Sequence, residues 1–321
     1  MTSPLSRREL MTHSATAAGA LLTGAFSANL YASQVPNITP SKNRTFGYCF
    51  NTSCIREQKP DLVSEIEMVA KAGYDGIEPW IRELEQYVQE GGSLRDLRKR
   101  LEDLGLGVES AIGFANWIVD DDTKRAEALE QAKREMGMLA EIGAKRIAAP
   151  PAGAHRGDKL DLMDVAKRYH DLLEVGRVAG ILPQLEIWGP ATNLSRIGEA
   201  VFVATESGHP NACLLLDVYH IFRGGSDFNG LNLINGKAMH VMHINDYPAE
   251  PEREKMGDKD RVYPGDGVAP LNQILSTLKE TGYTGMLSLE LFNPTYYKQK
   301  PESVIQTGIA KIDKAVLSAV G

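Results

Sequence analysis

Cysteine is scarce: Cys49, Cys54 and Cys213 are the three among 321 residues. An odd, widely spaced set forms neither a disulfide framework nor a zinc finger, so each reads as a small buried apolar side chain. Positive charge is also short. Lys and Arg number 35 against 42 Asp and Glu, a formal net charge of −7, and such a balance gives no encouragement to bind nucleic acid. There is no convincing membrane span: the weakly apolar stretch 15–30 is poor in Leu, Ile and Val and broken by Gly, Thr and Ser. No glycine-rich nucleotide fingerprint follows the first β-like run, which argues against an open doubly wound sheet. What is present, 43% hydrophobic and 24% charged residues, suits a globular protein with a large core.

The first forty residues differ from the rest. Ser6-Arg7-Arg8-Glu9-Leu10-Met11 carries a twin arginine, followed by the small-residue stretch and then by Pro36 and Pro40. Residues 1–32 read as a twin-arginine export signal, with cleavage near Ser27 or Ala32, and residues 33–44 as a linker. The bland alternative is a tail with a chance Arg-Arg pair. Export places the protein in the periplasm or beyond with no membrane anchor left after cleavage. It is cytoplasmic if the segment is not a signal.

From residue 45 onward, short β-like runs alternate with helical ones. The expected strands are 46–50, 76–78, 108–112, 146–149, 182–186, 212–216, 239–244 and 285–290. Leu62, Ile66, Val69 and Ala70 mark one helix face, and Leu129, Ala132, Met136 and Leu139 another, on a helix starting near Asp122. Gly73, Gly105, Gly143 and Gly282 stand where helices end. Eight such units over residues 45–321 predict a single α/β domain, a (β/α)8 TIM barrel. Residues 223–235 interrupt the sixth unit, and the charged stretch 245–269 forms a long loop after the seventh strand, where loops shape a pocket.

Four polar residues close four of these strands: Glu186, Asp217, His243 and Glu290. The carboxyl ends of barrel strands are where chemistry sits. Three carboxylates and an imidazole converging there form a hard, oxygen-rich set suited to a divalent cation, Mn2+ first, with Mg2+, Co2+ or Zn2+ as alternatives. Without a cation or another partner, a buried carboxylate costs several kcal/mol. Ordinary ion pairs at strand ends are the competing account of either glutamate alone.

Leu-Leu-Leu-Asp-Val-Tyr-His (214–220), Met-His-Val-Met-His-Ile-Asn-Asp (239–246) and Leu-Ser-Leu-Glu (287–290) together resemble the last strands of the xylose-isomerase-like barrel superfamily. The resemblance is to its sugar (phosphate) isomerase/epimerase branch, which includes D-tagatose 3-epimerase and hydroxypyruvate isomerase, and it covers about residues 45–315. It implies that Glu186, Asp217, His243 and Glu290 bind a metal and that Glu186 and Glu290 flank the substrate and exchange protons with it. It also implies substrate contacts for His220 in Asp-x-x-His and, more loosely, for Arg261. The expected function is a metal-dependent sugar isomerase or epimerase acting on a ketose or keto-sugar through an enediolate.

Other residues enter on weaker grounds. Glu78 and Glu109 are candidates for a sugar hydroxyl or for a structural ion pair, and Arg56 for an anion or hydroxyl anchor. Trp188, ahead of Trp80 and Trp117, is a candidate for stacking on a sugar ring. His155 and Arg156 follow the fourth strand in a loop, and alternation turns His240 away from His243. Two rival functions share much of this pattern: a 3-keto-glycoside lyase or hydratase with the same first step, and a non-catalytic carbohydrate-binding barrel. An endonuclease IV-like nuclease is disfavoured because the third and fourth strands end without histidine, and xylose isomerase proper because a second metal set is missing. The expected partner is a small sugar or keto-sugar; a homodimer is left open.

Overall fold

The structure, a computed structural model, describes residues 44–321. The export-signal segment, and the linker apart from Arg44, lie outside the described residues. Arg44 itself donates to Gly73 O at 3.1 Å and to Asp75 at 3.2 Å, at the foot of the first two strands.

Eight parallel strands run β1 Gly47–Asn51, β2 Gly76–Glu78, β3 Gly107–Val108, β4 Arg146–Ala149, β5 Leu182–Glu186, β6 Leu214–Asp217, β7 Met239–Ile244 and β8 Met286–Leu289. Their order is β3-β2-β1-β8-β7-β6-β5-β4. Between β3 and β4 there is no regular ladder. Two backbone bonds join these segments instead, Lys145 N to Val108 O at 3.2 Å and Ala148 N to Ala111 O at 2.9 Å, and with them the chain closes as a (β/α)8 barrel.

The third strand is shorter than its sequence suggests. Residues 108–112 were expected to pair throughout, yet the β2–β3 ladder holds only Gly76↔Gly107 and Ile77↔Val108. Beyond it Ile112 bridges Trp80, with Ile112 N on Pro79 O and Ile81 N on Ile112 O. Pro79 has no N–H to continue the ladder, so the segment stays extended but is joined irregularly.

Nine α-helices are described: α1 Leu62–Ala72, α2 Ile81–Gln89, α3 Leu94–Leu104, α4 Asp122–Glu141, α5 Leu162–Ala179, α6 Ile197–Glu206, α7 Val218–Arg223, α8 Leu271–Glu280 and α9 Pro301–Val320. Their starts follow from capping. Asp61, Ser93, Asp121 and Asp161 each accept a hydrogen bond from a first-turn N–H of α1, α3, α4 and α5. The expected glycine stops are real: Gly73 closes α1 with φ +89°, a left-handed conformation that costs a side-chain-bearing residue. No described helix is long and apolar enough to cross a membrane.

Alternation divides the core in two. Leu214, Leu216, Met242 and Ile244 pack outward under the helices, in a large cluster. Cys49, Ile112, Ala148, Leu215, Val241 and Met286 fill the barrel with a small one. All three cysteines are buried and free. The residues two further along from Leu215 and Val241 are Asp217 and His243. The same period-two rule that buries an aliphatic side chain in the barrel therefore delivers a polar one to its mouth.

Candidate metal centre and active site

Asp217, His243 and Glu290 meet. One ligand atom from each lies within 4.8 Å of the others, and all three residues are buried. Nδ1 of His243 is 3.2 Å from Glu290 Oε2 and 3.6 Å from Asp217 Oδ2. It has no hydrogen-bond partner of acceptable geometry, although it is fully buried. Across the ring, Nε2 is 3.0 Å from Glu78 Oε2. A carboxylate that accepts a hydrogen bond from Nε2–H leaves the Nδ1 lone pair of the neutral ring facing the other two acids, the arrangement in which histidines coordinate metals. An orphaned Nδ1 beside two carboxylate oxygens fits a divalent cation.

Glu186 is adjacent but stands outside this tight group. It lines the cavity with Glu290, and its carboxyl is pushed up to about 8 by burial and then by the charges of Glu290 and Asp217, against the pull of His243. A cation among them would offset the repulsion from Glu290 and Asp217 and favour the ionised form. Burial would lower the His243 pKa, but Glu290, Glu78 and Asp217 outweigh it and hold the imidazole well above its usual range. Burial would raise Asp217, yet Arg261, His220 and His243 hold it far below the ordinary carboxylate value.

Arg261 is brought in by the long loop after β7 and is 1% exposed. One terminal nitrogen donates to Asp217 Oδ2 at 2.9 Å and to Glu290 Oε2 at 2.7 Å; the other donates to Asp258 at 2.6 Å. The loop owes its shape to Asp246, which bridges to Val262 through the backbone. Its carboxylate accepts from the N–H groups of Tyr247, Gly265, Gly267 and Ala269 at 2.8–3.1 Å. His220 stands beside Arg261 on α7. Gly189 N donates to His220 Nδ1 at 3.2 Å, while Arg261 approaches Nε2 at 3.0 Å. A neutral imidazole has one lone pair. The ring can therefore answer one of these two donors, Gly189 N–H or Arg261, and leaves the other without its acceptor.

Above these groups opens a cavity of about 490 Å3, walled by aromatic side chains. Ring contacts run from Phe292 to Trp80 (6.3 Å between centroids), Trp80 to Phe114 (5.1 Å), Phe114 to Trp188 (6.1 Å) and Trp188 to His155 (5.8 Å). Arg56, His155, Arg156, Trp188, His220 and Arg261 all line it. Trp117 does not: it is 1% exposed, gives its indole N–H to Pro150 O and packs on Tyr169.

Two of the carboxylates weighed for sugar contact are placed elsewhere. Glu78 is 0% exposed. It receives bonds from His243, from Ser288 Oγ at 2.7 Å and from Asn51 Nδ2 at 3.1 Å, beneath the cavity rather than in its wall. The physical reason is that His243, Ser288 and Asn51 all bond its Oε2 and hold the carboxylate among them. Glu109 pairs with Lys145 at 2.6 Å and Arg146 at 3.2 Å. His240 is not part of the metal group; it is held near 4 by burial and the neighbouring Arg146.

The structure also brings in residues that sequence reasoning passed over. Asn51 bonds both Glu78 and Glu290 Oε1, the latter at 3.2 Å. Asn245 reaches Asp217 Oδ2 at 3.1 Å. Ser288 holds Glu78. Alternation back from Glu290 would have found Ser288, and the Ile-Asn-Asp run flags Asn245. Nothing in the sequence links Asn51 to a glutamate 239 positions away.

Comparison with known proteins follows from this geometry. The family model for the xylose isomerase-like TIM barrel matches residues 66–315. Among curated proteins, the inosose isomerase of Bacillus subtilis strain 168 is 30% identical over 267 residues, covering 81% of this chain and 94% of the relative. The 3-dehydroshikimate dehydratase of Pseudomonas aeruginosa is 27% identical; the match spans 72% of this chain but 36% of that longer protein. Among solved structures, the IolI protein with a bound zinc atom superposes with a TM-score of 0.79 at 27% identity, over 86% of this chain and 100% of IolI.

Proposed function

Because this chain belongs to the xylose isomerase-like TIM barrel family, we propose that it is a divalent-metal-dependent isomerase or epimerase that moves a proton on a carbon beside the carbonyl of a ketose or keto-sugar. The observation that carries this reading is the meeting of Asp217, His243 and Glu290, with Glu186 facing the same cavity. Those four residues would hold the ion, for which Mn2+ suits the mixed carboxylate and imidazole set. The zinc in IolI makes Zn2+ the first alternative. The ion would supply Lewis acidity, lowering the cost of negative charge on the substrate's carbonyl oxygen.

The chain's own residues would do the rest. Glu186 and Glu290 come from strands on opposite sides of β6 and β7. One takes the carbon-bound proton and the other returns one to the opposite face, with roles exchanged when the reaction reverses. A substrate oxygen beside His220 and Arg261 would accept a hydrogen bond from this pair, which fixes the substrate's orientation. Arg261 would offset charge as the enediolate forms. The aromatic wall would exclude water and stack on the apolar face of a ring. A small sugar or keto-sugar is the partner this wall suits.

A dehydratase or lyase is the second reading, favoured by the similarity to 3-dehydroshikimate dehydratase. It shares the proton abstraction and differs in the fate of the enediolate. Incubation with ketoses and cyclic keto-polyols in D2O with Mn2+ tests both. Deuterium beside the carbonyl supports proton chemistry, and the product separates epimer, isomer and elimination. Glu186→Gln is expected to lower exchange on the order of 100- to 10,000-fold while the fold is retained. Sugar binding with no exchange under any metal would leave a carbohydrate-binding barrel instead.

A further inference from the structure

The chain as a whole is acidic, with a formal net charge of −7, yet its cavity is not. Four cations line it, Arg56, Arg156, Lys259 and Arg261, against three acids, Glu186, Asp258 and Glu290. Arg261 is spoken for by Asp217, Glu290 and Asp258. The other three line the same cavity. Arg156 and Lys259 have no carboxylate partner among the described residues.

Arg56 is held in an unusual way. Its guanidinium lies over the ring of Phe292 at 5.0 Å and near those of Trp80 and Tyr297 at 5.9 Å. Its Nε is buried and makes no hydrogen bond. That same Nε is 3.4 Å from Oε1 of the exposed Glu57, an ion pair without hydrogen-bond geometry, and the guanidinium also acts on the Tyr297 hydroxyl. Aromatic faces orient a guanidinium without using its N–H donors, so donors remain beyond these two contacts. Its distance from the reacting groups is bounded. Arg261 also lies 5.0 Å from the Phe292 centroid, so the two guanidinium carbons are at most 5.0 plus 5.0, or 10 Å, apart. One small sugar can bridge that span.

We propose that Arg56 is an anion-binding residue and that the substrate carries a carboxylate or phosphate within reach of it, with Arg156 and Lys259 adding to the attractive field. This rests on the proton-transfer reading of the same cavity and adds the class of substrate. A planar fork matches either anion by paired hydrogen bonds, and a cavity of opposite sign to the protein surface draws an anion in.

The test compares three ligands with one ketose head: D-fructose, D-fructuronate and D-fructose 6-phosphate. Their binding to the full chain loaded with Mn2+ is measured by calorimetry at low and high salt, for the unaltered protein and for Arg56→Gln. At least one anion is expected to bind tenfold or more tightly than fructose. Which one wins separates carboxylate from phosphate. The preference should weaken with salt and vanish in Arg56→Gln, with the melting temperature unchanged. Equal affinity for all three ligands, unmeasurable affinity included, overturns the proposal, as does a preference that survives in Arg56→Gln. Deuterium exchange in the same complexes is read separately. Anion preference without exchange for any ligand would overturn the proton-transfer reading and leave the anion site standing.

Discussion

Glu78 is closed off from solvent, so whatever it does to substrate passes through His243 or, by way of Asn51, through Glu290. Its Oε2 accepts from His243 Nε2 at 3.0 Å, from Ser288 Oγ at 2.7 Å and from Asn51 Nδ2 at 3.1 Å. Burial pushes its pKa up, but the His243 charge and these donors bring it below the ordinary value, so it is ionised and acts as the fixed point of the ring. Glu78→Gln keeps the shape and loses the charge. Metal affinity, followed by competition with a chelating dye, is expected to fall on the order of 10- to 100-fold with the fold intact; unaltered affinity would separate Glu78 from the metal. At this scale the sequence was partly legible. Glu186, Asp217, His243 and Glu290 stood out because each is a polar residue ending an apolar run. Glu78 stood out for the same reason, but the run could not say whether it faces the cavity or lies beneath it. That depends on the bonds it receives from Asn51, His243 and Ser288, a relation between strands rather than within one.

Among the elements, the loop from β7 to α8 does most to shape the site. It carries Asp258 and Arg261 across the mouth, and its own regular structure is two short helical turns. Asp246 substitutes for the missing ladder by collecting four backbone N–H groups, which hold residues 247–269 against the barrel. Burial raises the pKa of this carboxyl, and those four donors counter the rise. Asp246→Ala leaves the N–H groups unanswered. It is expected to cost about 2 kcal/mol of stability and to raise protease cleavage within 247–268 ahead of the rest of the chain; a loop as resistant as before would show that other contacts hold it. The sequence predicted a long charged loop here and tied Arg261 to the site only by resemblance. The anchor escaped notice because an aspartate accepting backbone N–H groups has no composition signature, whereas capping residues and helix-ending glycines do.

For the whole molecule, the four candidate metal residues come from β5, β6, β7 and the end of β8, so an ion bound by them ties half the barrel together. Metal should therefore raise the melting temperature, and a chelator should lower it. Proton competition sets the direction of the pH dependence. The imidazolium of His243 is stabilised well above its usual range, and Glu186 titrates near 8 in the ion-free protein. Both must give up protons to serve as ligands. Metal affinity is expected to be weaker at pH 6 than at pH 8; an equal value at both would remove these residues from the ligand set. The sequence by itself determined the eight-fold alternation of strand and helix, the glycine helix stops and the polar strand ends, because period-two and helical spacing and glycine's conformational freedom are local properties of the chain. Only the tertiary structure decided that Glu78 orients His243, that Asn51 bridges Glu78 to Glu290, that Arg261 lies on two carboxylates, and that aromatic rings from five segments form one wall. Those are relations between residues up to 239 positions apart, and closing the barrel is what brings them within reach of a hydrogen bond.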